Sequence, residues 1–332
     1  MSKNGLPRKP LTKRRLKNLI LNVLKNPFNM VVLVSLVILF CLIIIPLLTM
    51  IANTFTLAQG ELRRVQGHVG DFTLYYWKYI LASTLSGAVL WGPLKNSFIC
   101  GFFTVLVSVP LGSVLAWLMI RTDIPGKKIL GLLVTVPYMI PSWTKALAWL
   151  AMFRNSTSGA DGFLAGMGIP IPDWLAYGPI AIVLCMSMHY YAFSYIMVSG
   201  ALRSINSELE EMGEIQGASK AQILRHITLP LILPSVLSAT VMTISKSIGT
   251  YGVPANLGNR IGYYTLATKM RNFIDQGPQA VGYAMSIVLV LLAALIIFSN
   301  QRIVGVRKSY ATVSGKGGRA TLMPLGKAKK PL

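Results

Sequence analysis

The segment from Asn96 to Ile120 carries no charged residue, and neither does the segment from Gln276 to Gln301. About 20 mostly apolar residues in helical form cross the hydrocarbon core of a bilayer, and charge-free runs of this length have few other uses. Composition points the same way. Of 332 residues, 53% are hydrophobic and only 13% charged, and the mean hydropathy is +0.58. Soluble domains carry about 25% charged residues, so this chain lacks the polar surface that water requires. Six stretches reach span length: 30–52, 96–120, 129–153, 179–202, 229–251 and 281–301. The expected fold class is an all-α integral membrane protein. Its six-helix transmembrane domain covers 30–301, between a basic arm, 1–29, and a basic tail, 302–332. The three cysteines, Cys41, Cys100 and Cys185, all sit inside apolar runs, a pattern that gives neither a disulfide framework nor a metal-ligand spacing. The first apolar run starts late, is of full span length and lacks a small-residue cleavage site after it, so a retained helix is expected rather than a cleaved signal peptide.

The charge of +22 has its own explanation. Residues 1–25 hold Lys3, Arg8, Lys9, Lys13, Arg14, Arg15, Lys17 and Lys25 and no acid, and the tail from Arg302 onward holds eight more basic residues and no acid. Six spans place both ends on one side, and the excess of Lys and Arg makes that side cytoplasmic. Much of the charge is then an orientation signal that also attracts lipid headgroups, and a nucleic-acid partner is not expected. The connection 121–128 and the loop 203–228 face inward; 53–95, 154–178 and 252–280 face outward. The aromatics of the first outer loop, Phe72, Tyr75, Tyr76, Trp77 and Tyr79, suit an interfacial belt or a short amphipathic helix.

The inward loop runs from Ser207 to Pro230, and local physics predicts two short helices in it. Ser207 with Glu210 forms one capping-box pattern, Ser219 with Gln222 a second, and the acids at 208, 210 and 211 favour a helix N-terminus. Gly217 is suited to the left-handed turn that ends the first helix, and Pro230 marks the start of the fifth span. The spacing carries more information than the caps. Glu211 is followed six residues later by Gly217, ten residues after that by Ile227, and then by Leu229-Pro230. This resembles the EAA loop of permease subunits from binding-protein-dependent ABC importers, E-A-A-x3-G-x9-I-x-L-P. Met212 and Gly213 stand where the two alanines would be, while Ala218 and Ser219 extend the match. The stretches Arg121–Gly126, Val136–Pro141 with Ala146–Trp149, and Tyr251–Gly258 look like the iron(III)-type branch, which also includes polyamine, thiamine and phosphonate permeases. Thr250 departs from that branch, where many members carry an acid.

The resemblance implies a type I importer permease in a bacterial inner membrane, with two permeases forming the pathway. It implies two ATPase subunits that bind ATP and Mg and grip the loop 203–230 as a coupling element. It also implies a binding protein that delivers solute to the outer face. Glu211, Gly217, Ala218, Ser219, Ile227, Leu229 and Pro230 are the coupling residues on this reading, and the second permease is expected to be a paralogue. Consistent with a non-catalytic subunit that binds no cofactor itself, the chain contains no G-x4-G-K-[ST] phosphate loop.

Two lysines fall inside spans, Lys145 in the third and Lys246 in the fifth. An ionisable side chain there costs about 2.5–3.5 kcal/mol on insertion scales. Hydroxyl neighbours such as Ser245 favour a wet cavity, while the position of both near the outer ends allows snorkelling to headgroups. If both line a cavity they favour an anionic solute or an anionic metal complex over a polycation. Lys246, Ser245, Lys145, Tyr251 and His189 are the candidate pathway residues, with no metal site among them. A lone histidine in a Met- and aromatic-rich span is equally a packing residue. An ion-coupled secondary transporter would show inverted repeats and broken helices, and neither is evident in the sequence.

Overall fold

The computed structural model describes residues 27–61 and 65–305. The basic arm and tail lie outside the described residues, apart from 27–29 and 302–305. The chain divides into two compact units, Met1–Thr73 and Leu74–Leu332.

In the first unit, helix α1 (Pro27–Asn53) has no buried residue, as expected of a helix whose solvent is lipid. Beyond it Thr56 pairs with Phe72 in an isolated antiparallel bridge, and the Phe55 and Phe72 rings stack 6.0 Å apart.

The second unit opens with α2 (Tyr75–Ala82) and a π turn at Gly87–Trp91 that leads into α3 (Gly92–Arg121). There follow α4 (Lys127–Met139), α5 (Ser142–Phe153), α6 (Gly178–Ser204), α7 (Ser207–Ile215), α8 (Lys220–Ile248), α9 (Gly252–Leu257), α10 (Leu266–Gln276) and α11 (Gln279–Gly305). No strand forms among the described residues. The spine is the α3–α6 pair. Helix α3 carries small buried residues along its length, Ser97 against α10, Gly101 against α8, then Thr104, Ser108, Gly112 and Ala116, and small residues let helix backbones approach closely where lipid supplies no hydrophobic drive. Gly112 marks the tightest point. A Cβ there would stand 2.3 Å from the Tyr191 carbonyl oxygen and 2.8 Å from Ser194 Cβ. Helix α8 packs on both members of the pair, α4 rests on α6, and α11 rests on α8 and α10.

Five of the six expected spans form helices long enough to cross a bilayer. The third, 129–153, is instead divided into α4 and α5 by Ile140 and Pro141, whose backbones are extended. The ring of a proline drives the preceding residue out of the helical region, so Pro141 forces Ile140 to φ −78°, ψ 129°. The sequence reading of unbroken spans is corrected here. A second correction concerns the fifth span. It begins at Lys220 rather than near Pro230, because a π segment, Leu224–Thr228, joins the second loop helix to it without a break. The Leu229 amide donates to Leu224 O. The i→i+5 pattern lets the helix tolerate Pro230, which has no N–H for His226. Of the two forms expected for the outer-loop aromatics, a belt or a short helix, the short helix α2 is present. Tyr76 and Ile80 of α2 are buried with Leu266 of α10 and Met285 of α11.

Candidate functional site

At one end of the bundle the loop 203–230 is fixed in place by its own caps. The N-cap of α7 is Asn206, whose side chain accepts from the Glu208 amide at 3.3 Å, in place of the Ser207 cap that the sequence predicts. Gly217 takes φ +84°. The Ala218 amide then donates to Gly213 O at 3.0 Å and the Gly217 amide to Glu214 O at 2.9 Å, which is a Schellman ending. Ser219 and Gln222 form a reciprocal capping box, with the Ser219 amide donating to Gln222 Oε1 at 2.8 Å. Gly213 has a packing role where the motif carries alanine. A Cβ there would meet Ile227 Cδ1 at 3.1 Å and Ile223 Cγ1 at 3.3 Å, so the smaller residue lets α7 settle on α8. Glu211 and Gly217 are exposed, as are Ser219, Leu229 and Pro230, and Ala218 and Ile227 are half-buried.

The residue that anchors the loop is one position away from the motif acid. Glu210 is buried, and its Oε1 lies 3.3 Å from Arg121 Nη2 and accepts the Thr228 hydroxyl at 2.7 Å. Arg121, the last residue of α3, is 1% exposed. This pair ties both loop helices to the end of the central span. Neither Arg121 nor Thr228 stands out in the sequence as a site residue, and the only available signal was an arginine closing a long charge-free run.

The intramembrane candidates gather around the α4–α5 break. Pro141 has no N–H, which deprives Pro137 O of its helical donor. The Lys145 ammonium donates to that carbonyl. It also lies 2.6 Å from His189 Nδ1. An ammonium only donates, so Nδ1 accepts and the His189 proton resides on Nε2. Tyr138, on the last turn of α4, stacks on His189 with centroids 5.3 Å apart and accepts from Lys246 Nζ at 3.1 Å. Lys246 also lies 4.6 Å over the Phe193 ring, within cation–π range. The structure therefore unites Lys145, Lys246 and His189 and adds Tyr138 and Phe193, which the sequence does not single out. The Tyr190 hydroxyl donates to Thr250 Oγ1 at 2.7 Å, because the Thr250 hydroxyl itself donates to Lys246 O at 2.8 Å. Ser245 and Tyr251 stay outside the cluster: Ser245 only flanks Lys246, and Tyr251 is 44% exposed beyond the end of α8.

The electrostatics are one-sided. All ten acids of the chain lie outside the spans, and ion pairs among the described residues include His68–Asp71, Arg121–Glu210 and Arg271–Asp275. Lys145 and Lys246 are therefore held by dipoles, a ring face and an imidazole, without a carboxylate. The described residues contain no cluster of three or more His, Cys, Asp or Glu able to hold a metal ion.

A small-residue spine, a broken third span and a capped loop continuous with the fifth span define a type I ABC importer permease fold. A bacterial alginate ABC transporter bound to its periplasmic protein shares it, with a TM-score of 0.64 at 17% identity over 88% of this chain and 98% of that one. Residues 108–309 match the model of the binding-protein-dependent transport system inner membrane component, and the chain belongs to that family. Curated relatives are permease proteins. A probable sulfate transport system permease protein of Marchantia polymorpha is 27% identical over 53% of this chain, a match spanning 59% of the relative's own length. A putative 2-aminoethylphosphonate transport system permease protein of Salmonella typhimurium is 28% identical over 70% of this chain and 80% of the relative. The chain is a transport component of the membrane, not an enzyme.

Proposed function

We propose that this chain forms half of the membrane pathway for an anionic solute. The carrying observation is that Lys145 on His189 and Lys246 on Tyr138 meet across the stacked Tyr138–His189 pair with no carboxylate to neutralise them. A positive charge with limited access to water attracts an anion more strongly than it would in bulk. The names of the sulfate and 2-aminoethylphosphonate relatives support this sign. Thr250 fits as well, since a neutral hydroxyl stands where branch members carry an acid. The loop 203–230 is the coupling element for separate ATPase subunits that bind ATP and Mg. A paralogous permease completes the pathway, an extracytoplasmic binding protein delivers the solute, and both termini face the cytoplasm.

The test uses the reconstituted transporter with sulfate and 2-aminoethylphosphonate as probes and spermidine as the cationic control. Lys246→Ala raises the anion concentration needed for half-maximal ATPase stimulation by about tenfold, the equivalent of ~1.4 kcal/mol. Lys246→Glu abolishes anion uptake and leaves basal ATPase activity intact. Normal anion uptake by Lys246→Glu, or uptake of spermidine in place of the anions by the native chain, would overturn the reading.

A further inference from the structure

A second cationic feature lies at the loop end of the bundle and shares no residue with the lysine cluster. A cavity of about 510 Å³ opens between the last turns of α3 and α6 and the first turns of α4. Lys127, Lys128 and Arg203 line it. Asp123 exerts an opposing charge on Lys127, while Lys128 and Arg203 form no ion pair with any described residue. Tyr195 and Ser199 also line it. The head of α4 contributes too. Its N-cap, Gly126, supplies no side-chain acceptor, and its carbonyl takes the Ile129 and Leu130 amides; Lys127 and Lys128 open this 13-residue helix, so the positive end of its dipole lies among the lining residues. Met119, Ile120 and Ile196 give an apolar stretch of wall beside Gly131 and Thr135.

We propose that this cavity binds a tetrahedral oxyanion, a phosphate or sulfate group, through Lys128, Arg203 and the head of α4. Basic pockets between spans fit phospholipid headgroups, and the Met119–Ile196 wall has the chemistry to hold an acyl chain beside such a group. A free oxyanion would satisfy the same donors without using that wall. An unmatched pair of cations at the rim of a half-apolar cavity has no role in packing the helices, because both side chains are exposed.

The experiment takes the full chain purified with the subunits it assembles with. Native mass spectrometry measures retention of phosphatidylglycerol against phosphatidylcholine, and equilibrium binding measures radiolabelled sulfate and inorganic phosphate. Each Lys or Arg near a headgroup contributes about fivefold in affinity, so Lys128→Gln with Arg203→Gln lowers preferential retention by about 25-fold. Lys128→Arg with Arg203→Lys keeps the charges and preserves retention. If the Gln pair loses phosphatidylglycerol while free anions bind neither form, the ligand is a lipid headgroup. If the loss falls on sulfate or phosphate, it is a free oxyanion. Unchanged retention and unchanged anion binding in the Gln pair overturn the proposal, and so does equal loss in the charge-preserving pair.

Discussion

Two cationic sites in this chain are built on opposite rules. At the loop end Arg121 is closed over by protein and faces the Glu210 carboxylate, which Thr228 also holds. At the α4–α5 break Lys145 and Lys246 are equally deep in the sequence of their spans, yet they meet only a carbonyl, an imidazole, a phenol and ring faces. A charge that is matched within the chain fixes the geometry of the parts it joins. A charge left unmatched keeps its field for something that arrives from outside. The first site reads as a joint between span and coupling loop, and the second as a place for the solute.

The strongest way to break this comparison is to remove one side of the joint. Glu210→Ala leaves the Arg121 guanidinium buried without its carboxylate, at a cost of about 3–5 kcal/mol. The expected outcome is a large loss of thermal stability in detergent and loss of the loop's attachment, read as failure to co-purify with the ATPase. Replacing both partners, Arg121→Met with Glu210→Leu, recovers most of that stability, because an apolar pair of similar volume does not strand a charge. A double variant as unstable as the single one would show that Arg121 and Glu210 do not act as a pair.

The next effect is smaller and separates the turn from the side chains around it. Gly217 sits at φ +84°, and a Cβ there would meet nothing within 4 Å, so its requirement is conformational. A β-branched residue held in that region costs about 1–3 kcal/mol. Gly217→Val therefore reduces solute-stimulated ATPase activity and transport while membrane insertion is retained. Gly217→Asn, which tolerates the left-handed region, keeps most of the activity. Equal loss in both variants would mean that the ATPase reads the bare surface at Gly217 rather than the course of the chain.

These two regions were not equally legible. The loop announced itself through local rules. Gly217, Ser219 and Gln222 act within a few residues of themselves, and their turn and capping box form as the spacing predicts. The joint was missed because Glu210 and Arg121 are far apart in sequence, and the motif acid, Glu211, drew attention to the exposed neighbour. The six-span plan was legible from hydropathy, which is insensitive to a break of two residues. The proline rule acting on Ile140 could have located the α4–α5 break, but a window averaged over a whole span conceals it. The capping of α7 was misread because two polar residues, Asn206 and Ser207, compete for the same position and only packing decides between them. The lysines were recognisable as anomalies, while their meeting across the Tyr138–His189 stack depends on how α4, α6 and α8 pack, which no local pattern encodes.

The smallest expected effect addresses the lysine that carries most structural duty. Lys145 caps Pro137 O, so Lys145→Met leaves an acceptor without its donor at about 1–3 kcal/mol. The same change removes an ionisable group from a span, which returns about 2.5–3.5 kcal/mol on insertion scales. The two terms oppose each other, and their midpoints, about 2 and about 3 kcal/mol, leave a net change of about 1 kcal/mol. His189 loses its cationic neighbour at 2.6 Å, and the cluster keeps the single charge of Lys246. The expected result is a melting temperature close to that of the native chain, with weaker anion stimulation of the ATPase. That outcome sets Lys145 apart from Arg121, since a charge inside a joint cannot be deleted alone without a structural penalty. A loss of stability as large as that of Glu210→Ala, with unchanged anion response, would instead make Lys145 a second joint. The open field at the break would then belong to Lys246 alone.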